Sequence, residues 1–350
     1  MRLEITQRWP QITILHHLHS DGSLWGTAGR TILKRPASQG WTKVAQFPFI
    51  PKRDLMAVAR PLARALRADK ANLYVNRRGK VLGIRSSTAY AIAERAVRPL
   101  FSIQGDSVLH GGLCEDSEGA IYFGEYFMNP ARQPVRIWRV APDGSGGEVA
   151  YTFPAGQIRH VHGIYPDPYD PGAMWVASGD YQGENYLWRT QDGFAHLERF
   201  GDGEQIWRAV RLFFTPDHIC WLTDSHLETN HACRMSRRDS RLEIGQSLGA
   251  PAWYGTSTSD GWHLAFTTVE PGPAVTRNDS AMLASRDAFE WQEIASWEKD
   301  IWRPMKVFKY GVISCPSGSM TSANIYLSGE GLRGLDGASL EGRIVESTSP

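Results

Sequence analysis

Four acids and four potential partners recur along the chain at matched spacing. His110, His162, Arg208 and Tyr254 are followed after 15, 18, 16 and 16 residues by Glu125, Asp180, Asp224 and Glu270, and Glu330 in LSGEG continues the acidic series. A gap of that size accommodates two short antiparallel strands and their turn, with the first residue at the start of one strand and the acid at the end of the next. Radial repetition of such pairs sets carboxylates, two imidazoles, a guanidinium and a phenol around one opening. Crowded carboxylates raise one another's pKa, which gives the protonated acid that leaving-group departure requires. Two carboxyls serve glycosidic cleavage, with retention at about 5–5.5 Å separation and inversion at about 6.5–9.5 Å. Imidazole or phenol acting beside a guanidinium suits elimination next to a uronate.

Asp180, Asp224, Glu125 and His162 are therefore the catalytic candidates. His110, Arg159, His160, Arg208, Tyr254 and Glu270 are expected to contact substrate, with Tyr126, Tyr181 and Trp207 offering flat faces on which sugar rings stack. Each has a plainer alternative: a recurrent acid at a strand end can bond loop amides, and aromatics can pack blades together. In RHVHG (159–163), His160 and His162 stand two apart, on one face of an extended strand. The leading reading needs no cofactor. A divalent cation held by these histidines, with His110 or the acids, is the alternative.

The elements that must position these residues are hairpins. RIWRVAPDGSGGEVAYTF (136–153), YLWRTQDGFAHLERF (186–200), CRMSRRDSRLEIGQSL (233–248) and MLASRDAFEWQEIASW (282–297) each carry an Asp at a turn between two strand-like runs, and GLRGLDGASLEGRIVE (331–346) reads as a shorter copy. Asp and Gly accept the backbone angles of tight turns. Another strand pair precedes each hairpin, so the repeat is four strands, the pattern of propeller blades. Residues 12–47 read as a further four-stranded unit, and NLYVNRRGKVLGIRSS opens a degenerate one. The prediction is an all-β, seven-bladed propeller forming one domain over 1–350, or six blades if the degenerate unit is dropped. Between those two units, RDLMAVARPLARALRADK (53–70) predicts an amphipathic helix that covers a rim with its arginines solvated and Pro61 at a kink. Residues 88–99 fit a second short helix or a strand.

Two turns carry a family resemblance. Thr190, Asp192 and Gly193 in RTQDGFAHLERF, and Ser285, Asp287 and Trp291 in SRDAFEWQEI, resemble the Asp-box, or BNR, turn of sialidase-like propellers, with Ala288 standing where that pattern has glycine. The resemblance implies a propeller akin to seven-bladed carbohydrate hydrolases and polysaccharide lyases. A true sialidase is not implied, because the expected Phe/Tyr-Arg-Ile-Pro segment is missing and Arg30, the nearest N-terminal arginine, lacks that context.

Composition excludes other classes. Lys and Arg total 38 against 37 Asp and Glu, for a net charge of +1, without the basic stripe that a nucleic-acid binder needs. The four cysteines are too scattered for a disulfide framework or a zinc-finger cluster. No apolar run reaches the roughly 18 residues of a membrane span, and the first residues lack a secretory pattern. The expectation is a cytoplasmic enzyme cleaving a glycosidic bond of a poly- or oligosaccharide, acidic ones included; a metal-dependent hydrolase or lactonase and a non-catalytic binding propeller are the rivals.

Overall fold

In the computed structural model, which describes residues 1–37 and 39–346, the chain forms seven four-stranded antiparallel sheets. Six are consecutive in sequence: blade 1 (14–46), blade 2 (72–102), blade 3 (114–153), blade 4 (161–203), blade 5 (209–248) and blade 6 (252–298). Blade 7 takes three strands from 312–345 and its outermost strand from Arg2–Trp9, which pairs antiparallel with Ala338–Val345. The degenerate unit is a full blade, so the count is seven. Residues 88–99 belong to its two outer strands, Thr88–Ala93 and Ala96–Ser102. The segment 331–346 is a turn followed by one strand, not a hairpin; the missing outer strand comes from the other end of the chain.

The first strands of neighbouring blades pack against one another around the axis. Blade 4 shows the sequence logic. Val161–Pro166 and Met174–Ser178 are buried along almost their whole length, whereas the outermost strand, Glu198–Gly203, is largely open. A strand covered on both faces reads as a continuous apolar run, and an outer one does not. In every blade the outer ladder contains a register shift, as between Ile137 and Trp138. Such bulges sharpen the right-handed twist that a propeller blade requires.

The turns at Asp192 and Asp287 are held by their own side chains and amides. Thr190 Oγ1 donates to Asp192 Oδ1 at 3.0 Å, and the His196 amide donates to the same oxygen at 3.0 Å. Ser285 Oγ donates to Asp287 Oδ1 at 2.9 Å, which also accepts the amides of Phe289 and Glu290. Ala288 holds φ +59°, the conformation that glycine adopts more easily. Phe194 and Trp291 are buried behind the turns.

The segment expected to be one helix is broken: α1 (Pro51–Asp54), a 3-10 turn (Leu55–Val58) and α2 (Arg60–Ala65), with Pro61 in the first turn of α2. Its polarity departs from the expectation, although Ala63 is buried and Arg67 exposed as the pattern suggests. Leu55, Leu62 and Leu66 are exposed, while Arg53 and Arg64 are buried. Arg64 bonds Asp300 and the Phe308 carbonyl, and Arg60 bonds Asp69 and Asp336, so the arginines tie the insertion to the loops of blade 7. A short helix, α3 (Met305–Phe308), packs against α2. Ile301, Trp302 and Val307 are likewise exposed. Among the described residues no helix is long and apolar enough to cross a membrane.

Candidate functional site

Blade 4 supplies the centre of the site. His160 immediately precedes its first strand, Val161–Pro166, and His162 lies within it, while its second strand ends at Ser178, two residues before Asp180. Gly179 makes that approach feasible: its φ is +135°, and a Cβ there would lie 2.1 Å from Asn185 Oδ1. The same Asn185 oxygen accepts the Asp180 amide at 3.0 Å, and the Asp180 carbonyl accepts Gln205 Nε2 at 3.1 Å and Arg208 Nη1 at 3.0 Å. The backbone is thus held from both sides before its carboxylate does anything.

That carboxylate is a hub. Oδ2 accepts Arg159 Nη1 at 2.6 Å and lies 3.3 Å from His160 Nε2; Oδ1 lies 3.0 Å from Arg208 Nη2 and 3.3 Å from His162 Nε2. Burial disfavours its charge, but His160, His162 and Arg208 outweigh burial and hold Asp180 well below the usual carboxylate range. Both imidazoles are buried. His160 Nδ1 meets the Phe127 carbonyl at 3.0 Å, His162 Nδ1 meets the Ala209 carbonyl at 2.7 Å, and the two Nε2 atoms are 3.2 Å apart. Burial lowers the His160 pKa, only partly opposed by Asp180.

Arg208, at the head of blade 5, links this hub to a second acidic group. Its Nη2 is 3.2 Å from Asp224 Oδ2, and its carbonyl accepts the Asp224 amide at 2.9 Å. Asp224 and Glu270 are both buried, and Asp224 Oδ1 and Glu270 Oε1 make no hydrogen bond among the described residues. The Trp253 indole lies close to both carboxyls without completing a hydrogen bond to either. Burial pushes both acids up, and the Asp224 charge adds to the rise at Glu270.

Aromatic residues frame the cluster. Tyr126 packs on His160 with ring centres 4.2 Å apart, and burial raises its phenol well above the ordinary value. Tyr181 is 44% exposed and receives the Arg159 guanidinium 5.1 Å from its ring centre. The Arg132 guanidinium also lies over this ring, 5.6 Å from its centre. Tyr254 and His110 meet edge to face at 5.7 Å, further round the opening. Burial and Lys70 bring the His110 pKa down to about 4.

Two expected site residues lie elsewhere. Glu125 is fully buried within blade 3, where its carboxylate accepts the Gln104 amide at 2.9 Å, the Arg136 amide at 3.1 Å and Trp138 Nε1 at 3.1 Å. Those bonds fasten the blade and leave it outside the cluster around Asp180. Trp207 is core: it stacks on Trp221 at 5.3 Å and covers Gly201. Sequence reasoning passed over Lys70 and His16. Lys70 stands 5.7 Å over the Tyr126 ring, and burial brings its pKa down to about 8. It stands two residues before the first strand of blade 2, Asn72–Val75, but residues 85–88 are Arg, Ser, Ser and Thr, so no acid follows at the spacing that marks the other pairs. His16, inside the first strand of blade 1, lies 5.8 Å from the His110 ring.

Neither a protein family nor a curated protein matches the sequence. Solved structures do match in shape. A catalytically inactive virginiamycin B lyase from Staphylococcus aureus with quinupristin is 13% identical with a TM-score of 0.59, covering 99% of both chains. YCF48 bound to D1 peptide is 12% identical with a TM-score of 0.54, covering 100% of this chain and 98% of that one. Raptor from Chaetomium thermophilum is 9% identical with a TM-score of 0.56, covering 99% of this chain and 30% of that one. Proteins so different in role share the fold, and the likeness carries the fold alone.

Proposed function

We propose that the chain is a carbohydrate-active enzyme that cleaves a glycosidic bond of an acidic poly- or oligosaccharide by acid–base chemistry at this mouth of the propeller. The observation that carries the reading is the pair Asp224 and Glu270: two buried carboxyls, each with an oxygen to which no described residue hydrogen-bonds, beside Arg208. Two acids that cannot both ionise in one low-dielectric pocket divide the labour, one keeping a proton for the leaving group and the other accepting charge. Glu270, whose environment opposes ionisation more, is the general acid in this reading, and Asp224 is the base or nucleophile. Arg159 and Arg208 attract the substrate's carboxylate, and Tyr181 stacks against a sugar ring. Asp180 is a positioning residue, because its oxygens are held by two guanidiniums.

The test is a panel of acidic and neutral polysaccharides, followed through new reducing ends and through the absorbance of unsaturated uronates. Reducing ends without that absorbance are expected. Glu270→Gln is expected to lose on the order of 100-fold or more in turnover, the usual contribution of a positioned acid. Unsaturated products, or full activity in both Glu270→Gln and Asp224→Asn, overturn the assignment.

A further inference from the structure

The two histidines of blade 4 present a problem in hydrogen-bond accounting. Each Nδ1 faces a backbone carbonyl, at 3.0 Å for His160 and 2.7 Å for His162. A carbonyl only accepts, so each Nδ1 carries its hydrogen, and each neutral ring then presents a lone pair at Nε2. Those lone pairs face one another across 3.2 Å, and each faces an Asp180 oxygen across 3.3 Å. Three acceptors converge with no donor among them. A single proton closes one edge of this triangle and leaves the others repulsive; a metal ion satisfies all three. Ligands about 2.0 Å from a tetrahedral ion stand about 3.3 Å from each other; the two Nε2 atoms are 3.2 Å apart, and each lies 3.3 Å from its own Asp180 oxygen, Oδ2 for His160 and Oδ1 for His162.

We infer that His160 Nε2, His162 Nε2 and the Asp180 carboxylate form a binding site for one divalent transition-metal cation, of the class of Zn²⁺. Imidazole nitrogens with one carboxylate favour such ions over Mg²⁺ or Ca²⁺, which prefer all-oxygen sites. The three ligand groups already lie within 4.8 Å of one another. The outer arrangement is that of a metal site as well: both rings are oriented through Nδ1–H to carbonyls, and the carboxylate is fixed by Arg159 and Arg208, partners that hold ligands in place. The two guanidiniums oppose a cation. Asp224, 3.2 Å from Arg208, offsets part of that charge. Asp180 retains 13% side-chain exposure and provides the entry side. The inference rests on ring geometry and is independent of which bond the site breaks.

The purified full chain is to be equilibrated with Zn²⁺, dialysed and assayed for metal content, with Co²⁺ as a spectroscopic probe of coordination. About one equivalent of Zn²⁺ per chain and a Co²⁺ visible band are expected. His160→Gln and His162→Gln are each expected to weaken Zn²⁺ binding at least 100-fold, with near-ultraviolet circular dichroism confirming that both variants fold. Glu270→Gln, outside the triangle, is expected to keep the metal, which separates failure here from failure of the proposed catalytic pair. Wild-type chain that is folded yet retains less than a tenth of an equivalent overturns the inference. So does unchanged binding in folded His160→Gln and His162→Gln, or imidazole ¹⁵N spectra showing a cationic ring in excess Zn²⁺.

Discussion

Glu270 shows how far a single carboxyl can be displaced by its setting. Its folded-state pKa is raised by burial and by Asp224, so the folded chain holds this proton more tightly than the unfolded one does. Stability linked to it is complete below the ordinary carboxylate range, about pH 4, and declines as pH rises until the pair ionises. Histidines lowered by burial, such as His16 and His160, act in the opposite sense. The difference between wild type and Glu270→Gln isolates the carboxyl. Urea denaturation from pH 4 to pH 9 is expected to show the variant gaining relative stability as pH rises; a constant difference contradicts the argument. The placement of Asp180, Asp224, Arg208 and Glu270 at one opening was legible in their spacing alone. Glu125 shares that spacing but accepts a tryptophan indole as Ser178 does in the next blade, at 3.1 and 2.9 Å. Glu125 thus takes the Ser178 position, two residues short of that of Asp180, and because loop lengths differ from blade to blade, counting residues does not distinguish the two.

At the scale of the element, the insertion between blades 1 and 2 departs from its own helical pattern. Periodicity alone assigns leucines inward and arginines outward; Arg64 instead turns inward and Leu62 outward because Asp69, Asp300 and Asp336 converge on that side with paired charge. Partner acids up to 276 residues away leave no trace in a local pattern, which is why this feature was not readable. Breaking a buried ion pair by removing one member typically costs about 3–5 kcal/mol. Arg64→Ala is therefore expected to destabilise by about 3 kcal/mol or more, whereas Leu62→Ser at the exposed face stays within about 0.5 kcal/mol. Denaturant midpoints of the two variants check the order, and a larger loss from Leu62→Ser is evidence against the inward arginine. The hairpins, by contrast, were readable turn by turn, since the Thr190–Asp192 and Ser285–Asp287 devices are local.

For the whole molecule the decisive contact is the least local one. Arg2–Trp9 closes the ring against Ala338–Val345, and Trp9 is buried beside Trp41 and Tyr326. The closing strand was invisible in the sequence because 331–346 resembles its neighbours' hairpins and nothing local reveals that half of its pairing is supplied from more than 300 residues away. Deleting residues 1–9 is expected to bare an unpaired edge that invites association, seen as lower thermal stability and larger species on gel filtration. Re-attaching residues 2–9 behind residue 346 through a flexible linker is expected to restore both, since the geometry asks only that the strand be present. A permuted chain that still aggregates shows that closure requires more than the strand.

The same seam sets an order in time. During synthesis the first strand leaves the ribosome long before its partner, and six blades can assemble while it waits unpaired. A chain halted before residue 338 holds most of its secondary structure but has an open circumference, with a loose strand at one end and a bare edge at the other. An unpaired edge of this kind invites association, so the seam makes residues 338–345 a condition for a closed, unassociated product.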